Sequence, residues 1–279
     1  MISAVPYHEV MGVKFSLLVV CLNAGEKLKQ TIDSILIQTY GNYEVIVKDG
    51  GSTDGSVEKL EERISGSGEN RIRIVREKDA GIYDAMNQAC SYMTGEYCLF
   101  LNCGDYFYSG QVLEQFAEAI GTERKKHIFY GNRYQALSGS VEYAAPQINA
   151  FTCYRNIPCH QTCFYSTDLF QERQYRPQYR VRADYEHFLW CYFEKKAQFT
   201  YVPTCVVSYE GGGFSETREN ERQSAREHRE ITGIYMTLGQ RFRYRTYLIL
   251  TLAPLRHALA TNPKFADAYN NIVKKFYHR

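Results

Sequence analysis

Tyr43-Glu44-Val45-Ile46-Val47-Lys48-Asp49-Gly50-Gly51-Ser52-Thr53-Asp54-Gly55 reads as a strand that runs straight into a turn of acids and glycines. Before it, Phe15-Ser16-Leu17-Leu18-Val19-Val20-Cys21-Leu22 is a short continuous apolar run, the pattern of a parallel strand covered on both faces. Between the two, Leu28, Ile32, Ile35 and Leu36 recur at helical spacing. Beyond the turn, Asp54 is placed to cap a helix through Val57, Leu60 and Ile64. A third strand follows at Ile72-Arg73-Ile74-Val75 and a third helix from Ile82 to Met93. Tyr97-Cys98-Leu99-Phe100-Leu101 is a fourth strand, ending at Asn102-Cys103-Gly104-Asp105. Strands alternating with helices over short connections predict an α/β fold with an open, mostly parallel sheet and flanking helices. Such sheets bind ligands at the carboxyl ends of their strands, and here those ends carry the acids and glycines.

After Phe107 the rhythm changes. A helix is expected over 112–120, strands over 127–135 and 140–146, then an irregular region rich in Tyr, Arg, Pro and Cys. Residues 184–195 suit a helix, 199–208 a strand, and Glu210-Gly211-Gly212-Gly213 a loop. Helical segments are expected at 217–238 and 242–260, with a short one from Lys264 onward. The chain divides into a domain over 14–215 and a basic helical extension over 216–279.

The charge distribution separates the same two parts. From Arg241 to the end there are eight Lys/Arg against Asp267 alone, a tail of +7; the total of +2 leaves −5 for residues 1–240. A net charge this small gives no case for nucleic-acid binding. The tail does suggest a membrane surface: Tyr247 to Leu250, Leu252, Leu255 and Leu259 are rimmed by arginines, so residues 241–260 are expected to make peripheral membrane contact, or else to dock as an ordinary amphipathic helix. Nine cysteines without a paired C-x-x-C, most of them in apolar runs, behave as small hydrophobes. Zinc ligation by Cys159, His160 and Cys163 fits no usual spacing. With no signal-peptide pattern and no apolar run near the ~18 residues of a spanning helix, a cytoplasmic protein is expected, held at most at the inner face of the membrane.

Two turns carry candidate chemistry. Asp49 ends a buried strand beside glycines that let a ligand approach backbone, and its carboxylate can accept a nucleobase N–H; a plain strand-to-helix turn has the same composition. Asp105 ends the fourth strand, where a carboxylate beside a diphosphate suits Mg²⁺ or Mn²⁺; alone, it is equally an ordinary turn residue.

Read in order, the segments Leu17 to Asn23, Asp49 to Gly55, Glu77 to Asn87 and Gly95 to Asp105 resemble the family 2 inverting glycosyltransferases of GT-A fold, most closely the branch that builds bacterial surface polysaccharides. The resemblance continues through Pro158-Cys-His160-Gln161, Ala183-Asp184-Tyr185-Glu186 and Gly212-Gly213-Phe214-Ser215, so it covers 14–215. It implies transfer of a sugar from a UDP- or GDP-sugar to a glycan or lipid-linked acceptor, with a divalent metal (Mn²⁺ or Mg²⁺). It implies that Asp49 holds the base, with Asn23, Asp79, Gly81, Asp84, Asn87 and Asn102 on the nucleotide-sugar side. Asp105 matches the last acid of the family's D-x-D metal motif, whose first acid is here Asn102 or Cys103. Asp184 matches the catalytic base; Glu186, two residues on, points about 200° away on a helix, so one of the two faces the site. His160, Gln161, Gly212 and Ser215 become candidate acceptor or phosphate contacts. Gln240-Arg241-Phe242-Arg243-Tyr244 does not match the Q-x-x-R-W motif of processive members, which favours one sugar per event. Two rivals remain: a silent sugar-binding or scaffold protein on the same fold, and a sugar nucleotidyltransferase. Against the second, a single glycine follows the first strand before Glu26.

Overall fold

The computed structural model describes residues 12–122, 125–209 and 218–251. Elements are numbered in chain order. β1 (Phe15–Cys21) is buried along its whole length because it lies between β2 (Tyr43–Asp49) and β4 (Tyr97–Phe100), both parallel to it. β3 (Ile72–Arg76) closes this edge, parallel to β2. The crossovers are α1 (Glu26–Leu36), α2 (Ser56–Ser67) and α3 (Ile82–Cys90); of the four positions that the periodicity of α1 selects, Leu28, Ile32 and Ile35 are buried and Leu36 is partly so. The cap of α2 differs from expectation. Gly55, in the left-handed region at φ 79°, is the capping residue, and Asp54 sits one place earlier, accepting the Ser56 N–H at 3.1 Å. The helix expected to reach Met93 ends at Cys90.

Past β4 the sheet changes direction. β5 (Tyr106–Phe107), α4 (Val112–Ile120), β6 (His127–Gln135) and β7 (Ser140–Glu142) lead to α5 (Ala150–Arg155) and a 3-10 turn at His160–Thr162. β8 (Cys163–Ser166), α6 (Thr167–Glu172), α7 (Ala183–Phe193) and β9 (Gln198–Tyr209) complete this half. The strand order is β3-β2-β1-β4-β8-β6-β9-β5, with β7 on β6. β8 is antiparallel to both β4 and β6, so the parallel character is confined to the first four strands and the β6–β9 pair. β8 places the 3-10 turn next to the end of β4.

α7 is a core helix, with eight of its eleven residues buried. His187 stacks on Phe170 at 4.3 Å between centroids, and Phe170 packs edge-on against Phe100 of β4. This aromatic layer joins α7 to the parallel half, so the first turn of α7 is carried to the carboxyl end of the sheet.

Contact density divides the chain into Met1–Ile231 and Thr232–Arg279, within α8 (Arg218–Tyr235). In the second unit α9 (Leu238–Leu250) starts with a capping box. Thr237 Oγ1 accepts the Gln240 N–H at 3.2 Å, and Gln240 Oε1 accepts the Thr237 N–H at 2.9 Å. That box interrupts the helix at 236–237, where the sequence reading had run one helix to 238 and begun the next at 242. The helix expected from Lys264 and the Gly211–Gly213 loop lie outside the described residues. Among the described residues, no helix is long and apolar enough to cross a membrane.

Candidate active site

The carboxyl ends of β1, β2 and β3 are sewn together by side chains. Asp49 is buried, and its Oδ1 accepts both the Ser52 N–H (3.0 Å) and the Ser52 hydroxyl (2.6 Å). Ser52 Oγ in turn accepts the Asn23 N–H at 2.8 Å, and Asn23 Oδ1 accepts the Thr53 N–H at 2.8 Å. Asn23 itself holds φ 50°, so the loop after β1 turns sharply onto the loop after β2. Lys48 is fully buried and aims its ammonium at three acceptors: Asp49 O at 3.1 Å, Glu77 O at 2.6 Å and Asp79 Oδ2 at 2.9 Å. A buried cation needs this many partners to offset its lost hydration. Asp79 comes so close to Gly50 that a Cβ there would lie 2.7 Å from its Oδ2. Gly50 is therefore required by proximity.

Further along the edge, Asp79 Oδ1 accepts the Gly81 N–H at 3.2 Å and Asp84 Oδ2 accepts the Ala80 N–H at 2.8 Å. Asn87 pairs with the Tyr175 backbone in both directions, each bond 2.9 Å. Asp84, which also accepts the Gln88 amide at 3.1 Å, fastens the loop before α3 to its first turn, and Asn87 ties α3 to the segment leading to α7.

A second group forms where β4, the 3-10 turn, α3 and α7 meet. The turn after β4 is held by α1, since Thr31 Oγ1 accepts the Gly104 N–H at 3.1 Å and donates to Asp105 O at 2.9 Å. Asp105 is buried, and its Oδ2 accepts the Gln161 amide at 2.7 Å; the Cys159 thiol donates to Gln161 Oε1. One residue earlier, His160 places Nδ1 3.0 Å from Asp184 Oδ2 and Nε2 3.3 Å from Asn102 Nδ2. A carboxylate accepts only, so the proton sits on Nδ1 and Nε2 accepts from the Asn102 amide. Tyr83 Oη lies 2.8 Å from the other oxygen, Asp184 Oδ1. Burial alone would raise the Asp184 carboxyl, but the hydrogen bond from His160, then that from the Tyr83 hydroxyl, hold it below the ordinary carboxylate value. Its side chain keeps 20% exposure. Glu186, by contrast, is buried against Arg173 at 2.8 Å. The opposed directions of Asp184 and Glu186 follow from their spacing on α7.

The structure therefore brings Asn102, His160 and Asp184 into one cluster, puts Asp105 with Gln161 beside it, and gathers Asn23, Asp49, Asp79 and Gly81 around the ends of β1 to β3. Gly212 and Ser215 lie outside the described residues. Cys159, His160 and Cys163 do not converge: the Cys163 thiol turns to Cys159 O and the Cys159 thiol to Gln161. Among the described residues no group of three or more His, Cys, Asp or Glu is arranged to hold a metal ion. Oxygen donors for a hard cation are nonetheless present. Asp105 is one, and Asn102 Oδ1, three positions before it, is a buried acceptor without a partner. These two fit a divalent ion that completes its shell with phosphate oxygens and water.

Three contributors escaped the sequence reading. Lys48 was visible as the one basic residue of β2, just before Asp49. Tyr83 and Glu227 left no such signal. Glu227, on α8, accepts three consecutive backbone N–H groups, those of Arg180 (2.9 Å), Val181 (3.0 Å) and Arg182 (2.8 Å), at the entry to α7.

An α/β sheet with acids gathered at its carboxyl edge, and a partly exposed carboxylate held below its ordinary value beside them, is the setting of a group-transfer enzyme for a nucleotide-linked substrate. The sequence profile of glycosyl transferase family 2 matches residues 16–197, and the chain belongs to that family: it is a nucleotide-sugar-dependent glycosyltransferase. The PGL/p-HBAD biosynthesis glycosyltransferase of Mycobacterium bovis is 34% identical over 205 residues, 73% of this chain and 79% of that protein. An uncharacterised glycosyltransferase of Mycobacterium tuberculosis is 29% identical over 179 residues, 62% of this chain and 67% of its own. Among solved structures, S. aureus TarS 1–349 in complex with UDP-GlcNAc superposes with TM-score 0.62 at 18% identity, covering 75% of this chain and 64% of that one. The mannosyltransferase PcManGT of Pyrobaculum calidifontis, in complex with GDP-Man and Mn²⁺, gives TM-score 0.63 at 14% identity, covering 93% and 84%. At these identities the two structures establish a shared fold.

Proposed function

We propose that the chain moves a single sugar from a UDP- or GDP-sugar to a hydroxyl of a glycan or lipid-linked acceptor in bacterial polysaccharide biosynthesis, with inversion at the anomeric carbon. The observation that carries this reading is Asp184: a largely buried carboxylate kept ionised by His160 and Tyr83, its side chain still 20% exposed. Such a group is suited to take the acceptor proton as the oxygen attacks and the nucleoside diphosphate departs on the far side. Asn23, Asp49, Asp79 and Gly81 line the nucleotide side, with Asp84 and Asn87 bracing their loop from behind. Asp105 and Asn102 Oδ1 are the oxygens for Mn²⁺ or Mg²⁺, which, when bound, neutralises charge on the leaving diphosphate. Gln161 orients Asp105, and Asn102 also faces His160. Proteins of the same fold solved in complex with UDP-GlcNAc and with GDP-Man and Mn²⁺ support a nucleotide-sugar donor and a divalent ion.

The test is a panel of nucleotide sugars with Mn²⁺ or Mg²⁺, scored by thermal shift and transfer. A bound donor at ~100 times its Kd stabilises by about 2.7 kcal/mol. Asp184→Asn should retain that shift and lose transfer by about 10²-fold or more. Full transfer by Asp184→Asn removes the base assignment, and donor binding without turnover on any acceptor by the native chain favours the silent sugar-binding rival.

One further observation supports contact with a lipid surface from the cytoplasmic side. On α9, Leu238, Phe242 and Ile249 are exposed and share one face, with Arg241 and Arg245 beside them. Liposome flotation of the native chain and of a Leu238→Ser/Phe242→Ser/Ile249→Ser variant checks this. Equal, salt-insensitive recovery of both sinks it.

A further inference from the structure

Tyr83 has one hydroxyl proton and two acceptors. Its Oη lies 2.9 Å from Val181 O and 2.8 Å from Asp184 Oδ1. A phenol donates one hydrogen bond, so the two acceptors cannot both be served while Asp184 is ionised, except by a shared proton. Two complete arrangements exist. With Asp184 ionised, the phenol donates to Oδ1. With Asp184 protonated on Oδ1, the carboxyl O–H donates to Tyr83 Oη and the phenol turns its proton to Val181 O. Each state gives every polar hydrogen an acceptor, and once Asp184 has gained its proton, passing from the first to the second needs only rotation about two C–O bonds.

The surroundings hold this triad in place. Burial, then the charge of Asp184, pushes the Tyr83 phenol far above its ordinary value, so it keeps its proton throughout. The ring packs edge-on against Tyr175 at 5.3 Å, and Asn87, one turn along α3, grips the Tyr175 backbone. Val181 O is fixed because Glu227 accepts the N–H groups on either side of it and its own. Of the other groups facing Asp184, Cys163 and Tyr165 of β8 and Tyr175 are pushed far up by burial, Cys159 up to about 11, and His187 down to about 3. All five stay neutral near pH 7, and the side chains hydrogen-bonded to the carboxylate are Tyr83 and His160, with the Tyr185 main chain beside them.

We propose that Tyr83 is a positioning residue that serves the base in both of its protonation states, donating to the carboxylate before transfer and accepting from the carboxyl after it. In the transfer step the acceptor O–H bond breaks and its proton goes to Asp184. The acceptor oxygen bonds to the anomeric carbon, and the bond to the diphosphate oxygen breaks with its electron pair on the leaving group. A base whose partner could only donate would be left, once protonated, facing a hydrogen with its own hydrogen. That clash raises the barrier to transfer without touching donor binding.

This rests on Asp184 as the base, and the experiment separates the two ideas. Tyr83→Phe keeps the ring and removes the hydroxyl; it should lower kcat at least 10-fold, leave donor KM within about 2-fold, and move the acid limb of the pH profile upward. In an Asp184→Asn background the same change should cost nothing further, because its effect acts through the carboxylate. If Asp184→Asn is fully active, the base reading falls. If Asp184→Asn is dead while Tyr83→Phe keeps kcat within 2-fold and an unmoved acid limb, the role of Tyr83 falls and the base stands. Should Tyr83→Phe not fold, a fluorinated tyrosine at position 83 retains all packing and strengthens the donor. A severalfold drop in kcat at constant donor KM supports the proposal, and an unchanged kcat overturns it.

Discussion

Glu227 offers the sharpest test of how the base is held, because it lies on α8, 43 positions from Asp184 in the numbering. Its carboxylate is buried and accepts the backbone N–H groups of Arg180, Val181 and Arg182 at 2.8 to 3.0 Å, plus the Gln223 amide at 2.9 Å. Glu227→Ala strips all three main-chain donors. Hydrogen bonds to a charged group contribute about 1.5–3 kcal/mol each. The Val181 donor is fully buried, while the other two are partly so and can recover water, so the expected total is about 3–4 kcal/mol. For a domain of this size each kcal/mol moves Tm by about 2–4 °C, giving a drop of roughly 10 °C. Below that melt, the segment carrying Val181 O and the start of α7 should loosen. kcat should then fall at least tenfold while nucleotide affinity, set at the ends of β1 to β3, is retained. Differential scanning fluorimetry, nucleotide titration and steady-state transfer read these three quantities. A Tm within 2 °C of native together with native kcat refutes the reasoning.

His187 should make the protein acid-sensitive. Burial and the Arg173 charge hold its folded-state value at about 3, against 6.5 for the free side chain, so between these values the unfolded chain binds the extra proton. Stability is then complete above pH 6.5 and falls as pH drops towards 3, by at most ~1.4 kcal/mol per unit. Urea midpoints from pH 7 to 4 check this: His187→Gln should flatten the slope, and an unchanged slope excludes His187 as its source. Lys48→Met should raise donor Kd by at least tenfold, because Asp79 loses its cation; isothermal titration with the nucleotide sugar decides it, and unaltered affinity in a folded variant is the refuting result.

The donor half was legible because parallel strands covered on both faces are continuous apolar runs, and their ends must carry whatever meets the ligand. β1, β2 and β4 were therefore readable within a residue or two, with Asp49 and Asp105 at their tips. β8 was not. It has four residues, all buried, enclosed by a 3-10 turn and a short helix, and Cys163-Phe-Tyr-Ser offers neither a run nor an alternation long enough to read. Its partners are set by tertiary packing alone. The same holds for the site. Asp184 and His160 came from a motif order, but the bond between them joins residues 24 apart, and Tyr83 reaches Asp184 across 101 positions. Periodicity carries no information at such distances. Asn87 shows the converse: its place in a motif suggested a ligand contact, while its amide braces Tyr175.

The 3-10 turn links the two ends of the proposed reaction. His160 and Gln161 are adjacent, yet one reaches Asp184 and the other Asp105. In the proposed inverting displacement the proton acceptor and the leaving diphosphate lie on opposite sides of the anomeric carbon, so that reading makes alignment of the reactants depend on the spacing between Asp184 and Asp105. A turn of three residues, anchored by the bond from Thr162 N–H to Cys159 O at 2.9 Å and continued directly into buried β8, has little freedom to change that spacing. Asn102 adds a cross-tie, its amide on His160 and its unpartnered oxygen available to the cation. An acid at position 102 would face His160 Nε2 with an acceptor instead of the Asn102 N–H, and so favour an imidazolium held between two carboxylates over the neutral ring that Asn102 and Asp184 share. The residue at position 102 thus bears, through a single imidazole, on how Asp184 is held.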